Sequence, residues 1–179
     1  MEKLKGSSVY LCGPMDKASD GGVGWRRQIT PFLKSLGIKV FDPCDKHIDI
    51  GLENVENRQY RDSLKTTGQY EQLSLEVHTL RMVDLRMCDY SDFIIVNLDL
   101  DILSCGTYEE IFWSNRLKRP VIIHCPQGKN AIPDWLFGTL DHRLFFDNWD
   151  DIRQYIQEVN RGNILYPERR WLFFNWTKI

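Results

Sequence analysis

Apolar residues in this chain fall into two spacings that alternate along its length. Val9-Tyr-Leu-Cys12, Ile38-Lys-Val-Phe41, Phe93-Ile-Ile-Val-Asn-Leu98 and Val121-Ile-Ile123 are short, nearly unbroken apolar runs, the signature of strands buried on both faces. Between them apolar residues recur at helical intervals. Trp25, Ile29, Phe32, Leu33 and Leu36 predict a helix over 25–36 that stops at Gly37. Leu73, Val77, Leu80, Val83 and Met87 predict another over 70–88, and a further helix over 107–117 follows the third strand. Beyond the fourth strand the signal thins to a short helix near 132–137, a fifth strand over 143–146 and an amphipathic helix over 149–159. Residues 45–69 are polar, carry Gly51 and Gly68, and predict a loop holding one short helix at most.

Strands alternating with helices imply a parallel sheet covered on both faces. The predicted fold is α/β: one flavodoxin-like, Rossmann-like three-layer domain over 1–179, with a five-stranded parallel sheet in the order 2-1-3-4-5. In that order strands one and three are neighbours whose connections leave in opposite directions, and ligands bind at the carboxyl ends of such strands. Two loops should therefore meet there: Gly13-Pro14-Met15 after the first strand and Ser104-Cys-Gly-Thr107 after the third. The end of the chain, Trp171-Leu-Phe-Phe-Asn-Trp176, is too apolar to hang in water. The aromatic tail over 160–179 is expected to pack on the core or on a partner subunit of a homodimer or higher homo-oligomer.

Composition narrows the partners. Of 179 residues 27% are charged and the net charge is −2, with no dense basic cluster, so nothing recruits a nucleic-acid polymer. No apolar stretch is long enough to span a bilayer, and no signal peptide is read. The five cysteines are odd in number and form no C-x-x-C pair; they imply reduced thiols of a cytoplasmic protein rather than a disulfide frame or a zinc site. No metal or other cofactor is expected.

The chemistry concentrates at one strand end. Asp92-Phe-Ile-Ile-Val-Asn-Leu-Asp99 runs into Ser104-Cys-Gly-Thr-Tyr-Glu-Glu110, bringing two hydroxyls, a glycine and a carboxylate to the opening of a helix. Thr107-x-x-Glu110 fits a capping box, in which Thr107 caps the helix and Glu110 reaches back. It equally fits a site, because Asp84 stands near the end of the preceding helix and feeds the same strand. Asp84 in turn has a plainer reading as a surface residue paired with Arg81.

Together these residues resemble the nucleoside 2-deoxyribosyltransferase-like family, which includes the deoxynucleoside 5′-monophosphate N-glycosidases. The resemblance rests on Val9-Tyr-Leu-Cys-Gly-Pro14, on Asp84-Leu with Asp92-Phe-Ile-Ile-Val, on Gly106-Thr-Tyr-Glu-Glu-Ile111 and on Arg119-Pro-Val-Ile122, spanning roughly 8–124. It implies cleavage of an N-glycosidic bond in a small nucleoside or nucleotide, with Glu110 as nucleophile and Asp84 as the carboxylate that handles the base. Both assignments suit the chemistry, since an attacking carboxylate and an acid for the leaving base are what an oxocarbenium-like transition state requires. Glu110 is expected to be kept ionised by the helix N-terminus. Tyr10, Gly13, Pro14, Met15, Asp99, Ser104, Gly106 and Thr107 are the expected substrate-binding residues.

One departure carries information. The transferases of this family usually place Asp six residues before the nucleophile, where this chain has Ser104. A hydroxyl beside helix N–H groups accepts a 5′-phosphate that a carboxylate would repel, which points to hydrolysis of 5′-monophosphates over base exchange between nucleosides. No arginine is seen in the loop after the first strand to assist. Competing readings are metal-assisted glycosyl transfer through Asp99-Leu-Asp101, a resemblance of Gly-Thr-Tyr-Glu-Glu to phosphoribohydrolases that release cytokinin-type bases, and a non-catalytic nucleotide-binding module.

Overall fold

The computed structural model describes residues 2–46, 48, 50–51, 53–163 and 170–171. Strand β1 (Ser8–Cys12) lies between β2 (Lys39–Phe41) and β3 (Phe93–Asn97); β4 (Val121–His124) and β5 (Phe145–Phe146) follow, giving a parallel sheet in the order 2-1-3-4-5. Tyr10 stands opposite Ile94 and Cys12 opposite Val96. Because side chains alternate across a strand, this register sends Val9 and Leu11 to one face and Tyr10 and Cys12 to the other. The first face packs on helices α1 (Val23–Ser35) and α6 (Trp149–Arg161) through Ile29, Leu33, Ile152, Ile156 and Val159. The second packs on α3 (Tyr70–Tyr90), α4 (Cys105–Arg116) and α5 (Asp134–Thr139) through Cys88, Ile111 and Leu136. Tyr10 therefore enters the layer that holds the motif helices.

The loop leaving β1 is shaped by a close approach and a buried cation. A Cβ on Gly13 would stand 3.0 Å from the Asn97 carbonyl oxygen and 3.2 Å from the Trp25 ring, so a larger residue would crowd the close approach of this loop to the end of β3. Arg26, fully buried, donates from its guanidinium to the carbonyls of Leu11, Gly13 and Gly22. The arginine thereby ties the end of β1 to the loop that follows it, and it lies 3.6 Å from Asp42 just after β2.

The 45–69 segment departs from expectation. It carries a three-turn helix, α2 (Val55–Thr66), whose N-cap Asn54 accepts from the Asn57 N–H at 2.8 Å. The helix is polar nearly all round, with Leu64 and Arg61 its buried side chains, so it has no apolar stripe for periodicity to detect. It packs on α3, and Arg58 reaches back to donate to the Met15 carbonyl at 3.1 Å. Helix α3 itself is half-committed: Val83 and Cys88 are buried near its end, while Val77, counted on its apolar face, is exposed.

Of the aromatic tail, Trp171 is buried against Phe93, ring centroids 5.2 Å apart, and its indole N–H donates to the Tyr155 hydroxyl at 2.8 Å. Residues 164–169 and 172–179 lie outside the described residues. Among the described residues no helix is long and apolar enough to cross a membrane.

Candidate active site

A cleft of about 450 Å³ opens at the carboxyl ends of β1 and β3. Tyr10, Gly13, Pro14, Met15, Asp84, Ser104, Gly106, Thr107 and Glu110 all line it, so the topology brings the two loops and both candidate acids together. Asp99 does not line it. Its carboxylate accepts from the Gln127 amide at 2.7 Å, which also donates to Asp101 at 2.9 Å. One side-chain amide therefore ties both acids of the Asp99-Leu-Asp101 pair to the turn after β4, away from the cleft.

Glu110 rises from α4 toward the sheet. The Tyr10 hydroxyl donates to its Oε1 at 2.8 Å, and the Cys12 thiol stands beside it. Burial lifts the Glu110 pKa to about 7, against the hydrogen bonds from Cys12 and Tyr10, which favour the anion, while Asp84 adds to the rise. The expected ionisation by the helix end is thus overturned. The reason is position: α4 begins at Cys105, two residues earlier than the sequence predicts, and Glu110 sits in its second turn, past the reach of the helix dipole. Tyr10, buried and facing this carboxylate, has its own pKa raised well above the ordinary value and remains a donor.

The capping assignment changes with the helix start. Ser104, not Thr107, is the N-cap: its hydroxyl accepts from the Thr107 N–H and lies 2.6 Å from the Thr107 hydroxyl. When Thr107 is the donor of that short contact, the Ser104 proton remains free to turn into the cleft. Cys105 and Gly106 in the first helical turn are exposed there.

Asp84 is not paired with Arg81, whose exposed guanidinium binds Glu109 instead. Its partner is Lys46, 2.6 Å away and almost wholly buried, which also donates to the Gly51 carbonyl. Burial pushes Asp84 above the ordinary carboxylate range while Lys46 pulls it back. Lys46 comes from the loop after β2 and escaped the sequence reading because nothing in a polar stretch marks which lysine is buried. The same segment delivers Glu53 to the cleft, with a pKa lifted to about 8 by burial first and Asp84 second. Arg61 of α2 reaches the first loop and pairs with Asp16 at 2.9 Å, but it does not line the cleft.

With the geometry described, comparison with known proteins locates the fold. No protein-family model matches the chain, and a search of curated proteins returned no match. Among solved structures, a 2-deoxyribosyltransferase from Bacillus psychrosaccharolyticus is 19% identical, superposes with a TM-score of 0.56 and covers 83% of this chain and 92% of its own. A 2-deoxyribosyltransferase from Leishmania mexicana is 15% identical with a TM-score of 0.48, covering 84% and 97%. The CMP N-glycosidase BcmB of Clostridium botulinum is 16% identical with a TM-score of 0.44, covering 87% and 99%. The chain has the fold of the Bacillus enzyme over most of its length, as the four motifs predict.

Proposed function

We propose that this protein is an enzyme that cleaves the N-glycosidic bond of (deoxy)nucleoside 5′-monophosphates by hydrolysis, through a covalent glycosyl intermediate on Glu110. The observation that carries the reading is Glu110 itself, a carboxylate held by the Tyr10 hydroxyl at 2.8 Å in a cleft that Asp84 also lines. The sequence resemblance and the deoxyribosyltransferase fold support it.

In the first step Glu110 attacks the anomeric carbon as the bond to the base breaks, and the base leaves toward Asp84 with a proton from the enzyme. In the second, water attacks the same carbon and Glu110 departs as the carboxylate. The Tyr10 hydrogen bond orients the attacking oxygens and makes the carboxylate a better leaving group. Ser104 and the first-turn N–H groups of α4 receive the 5′-phosphate. A second reading, base exchange between nucleosides, draws on the likeness to a deoxyribosyltransferase; it differs only in which nucleophile meets the intermediate.

The test is incubation with a panel of nucleosides and 5′-monophosphates, with and without a second free base, followed by chromatography and mass spectrometry of the quenched protein. Free base from monophosphates and a sugar-phosphate adduct on the Glu110 peptide are expected. New nucleosides formed from the second base would turn the reading to transfer. Tight nucleotide binding with no base released would leave only a binding module.

A further inference from the structure

We propose that Glu53 is the group that hands a proton to the departing base, beside an Asp84 that Lys46 holds as the ionised acceptor. The inference rests on the proposed N-glycosidic cleavage and assigns its proton.

The acids near this end of the cleft share their cations unevenly. Asp84 on α3, Asp16 in the loop after β1 and Glu53 just before α2 are its three acids away from α4; Lys17 and Arg81 also line the cleft, and the cations that act on Glu53 are Lys46 and Arg61 behind the wall. Lys46 lies 2.6 Å from Asp84, and Arg61 lies 2.9 Å from Asp16. Both cations that act on Glu53 are paired with other acids. Glu53 Oε2 is buried and, among the described residues, has no hydrogen-bond partner. An unpaired buried carboxyl oxygen is costly unless something else meets it, and this one belongs to a residue that lines an open cleft. A ligand atom is the natural partner.

The same arrangement sets the charges. Burial and the Asp84 anion both oppose ionisation of Glu53, outweighing Lys46 and Arg61, so it holds its proton up to about pH 8. The remaining titratable neighbour, Cys44, is lifted to about 11 by burial and stays a neutral thiol. Asp84, in contact with an ammonium, is the charged member. One carboxyl therefore donates and its neighbour accepts, the division of labour that two acids reach when their surroundings differ.

The step balances. The electron pair of the glycosidic bond passes to the base nitrogen, the Glu53 proton moves to the base, and a Glu110 oxygen bonds to the anomeric carbon. Glu53 is left as a carboxylate. It then takes a proton from the water that attacks the intermediate, which restores Glu53 as the acid and Glu110 as the anion.

The experiment compares an ordinary base with one acidified by a nitro or halogen substituent, which departs as its anion and needs no proton. Glu53→Gln should lose about 100- to 10,000-fold in kcat on the ordinary base and less than about tenfold on the acidified one. In wild-type protein kcat/KM on the ordinary base should rise as Glu110 ionises near pH 7, among Tyr10, Cys12, Asp84 and Arg26, and fall as Glu53 ionises near pH 8. The alkaline fall should vanish with the acidified base; this arm needs no variant. Equal losses on both substrates, an unaffected Glu53→Gln enzyme, or an alkaline limb common to both bases would overturn the assignment while leaving cleavage itself standing. Wild-type protein that releases neither base sinks the cleavage reading along with it.

Discussion

The two walls of the cleft are built differently. One wall, formed by β1, the end of β3 and α4, is made of regular elements whose register determines where Tyr10, Ser104 and Glu110 stand. The other, formed by Lys46, Glu53, α2 and the end of α3, is tied together by ion pairs: Lys46 with Asp84, which is buried, and Arg61 with Asp16, whose carboxylate is exposed. The first wall positions the Glu110 carboxylate against Tyr10. The second raises the pKa of its carboxyls by burial, with Lys46 drawing Asp84 back. The Glu110 carboxylate is placed by the helix that carries it, and its proton is governed first by burial and then by Cys12, Tyr10 and Asp84.

The largest effect that would separate the walls is at Glu110. Replacing it with Gln keeps the Tyr10 contact and should lower kcat/KM by at least about 1,000-fold, on the scale of losing a covalent nucleophile. Steady-state rates on the best panel substrate check this, and retention of a tenth of the activity would remove Glu110 from the mechanism.

On the opposite wall, Lys46→Met leaves the Asp84 charge buried and unpaired. A loss of about 3–5 kcal/mol in denaturant unfolding is expected, most of it recovered in the Lys46→Met/Asp84→Leu double variant, because apolar replacement of both partners removes the stranded charge. A double variant as unstable as the single one would mean that Lys46 acts mainly through its bond to the Gly51 carbonyl.

Ser104→Asp sharpens the role of the α4 end. Aspartate also caps helices, so stability should hold, while preference should move from monophosphates toward free nucleosides by about 30- to 100-fold in kcat/KM, a swing of about 2–3 kcal/mol. Wild-type preference for nucleosides would overturn the phosphate reading.

A smaller effect follows from linkage. Glu110 has a native pKa near 7, above its ordinary value of 4.5, so the folded state binds more protons than the unfolded one between those values. Its contribution is fully present below about pH 4.5 and is lost as pH rises through 7. Glu110→Gln should therefore melt several degrees higher than wild type at pH 9 and nearly level with it at pH 4, measured by calorimetry. The smallest change is expected at Arg81→Ala. That pair with Glu109 is exposed and screened by solvent, so its removal should leave the melting temperature almost unchanged.

The strand order, the meeting of the two loops and the presence of Tyr10, Asp84, Ser104 and Glu110 in one cleft were all legible in the sequence. Unbroken apolar runs permit few alternatives to a doubly covered parallel sheet, and that topology brings the ends of β1 and β3 together. What periodicity could not convey was the polar wall. Helix α2 has no apolar stripe, and nothing local marks Lys46, Arg61 or Glu53 as buried rather than solvated. The exact start of α4 turned on one hydroxyl: Ser104 competed with Thr107 for the cap and won, which moved Glu110 out of the first turn.

The sequence alone thus determined that Tyr10, Asp84, Ser104 and Glu110 share one cleft, because backbone pattern and chain order are local information that dictates topology. Tertiary structure alone decided their protonation and their partners. Charge states depend on which side chains lose water together, and that depends on residues far apart in the chain: Lys46 against Asp84, Tyr10 against Glu110, and Glu53 left with no cation of its own.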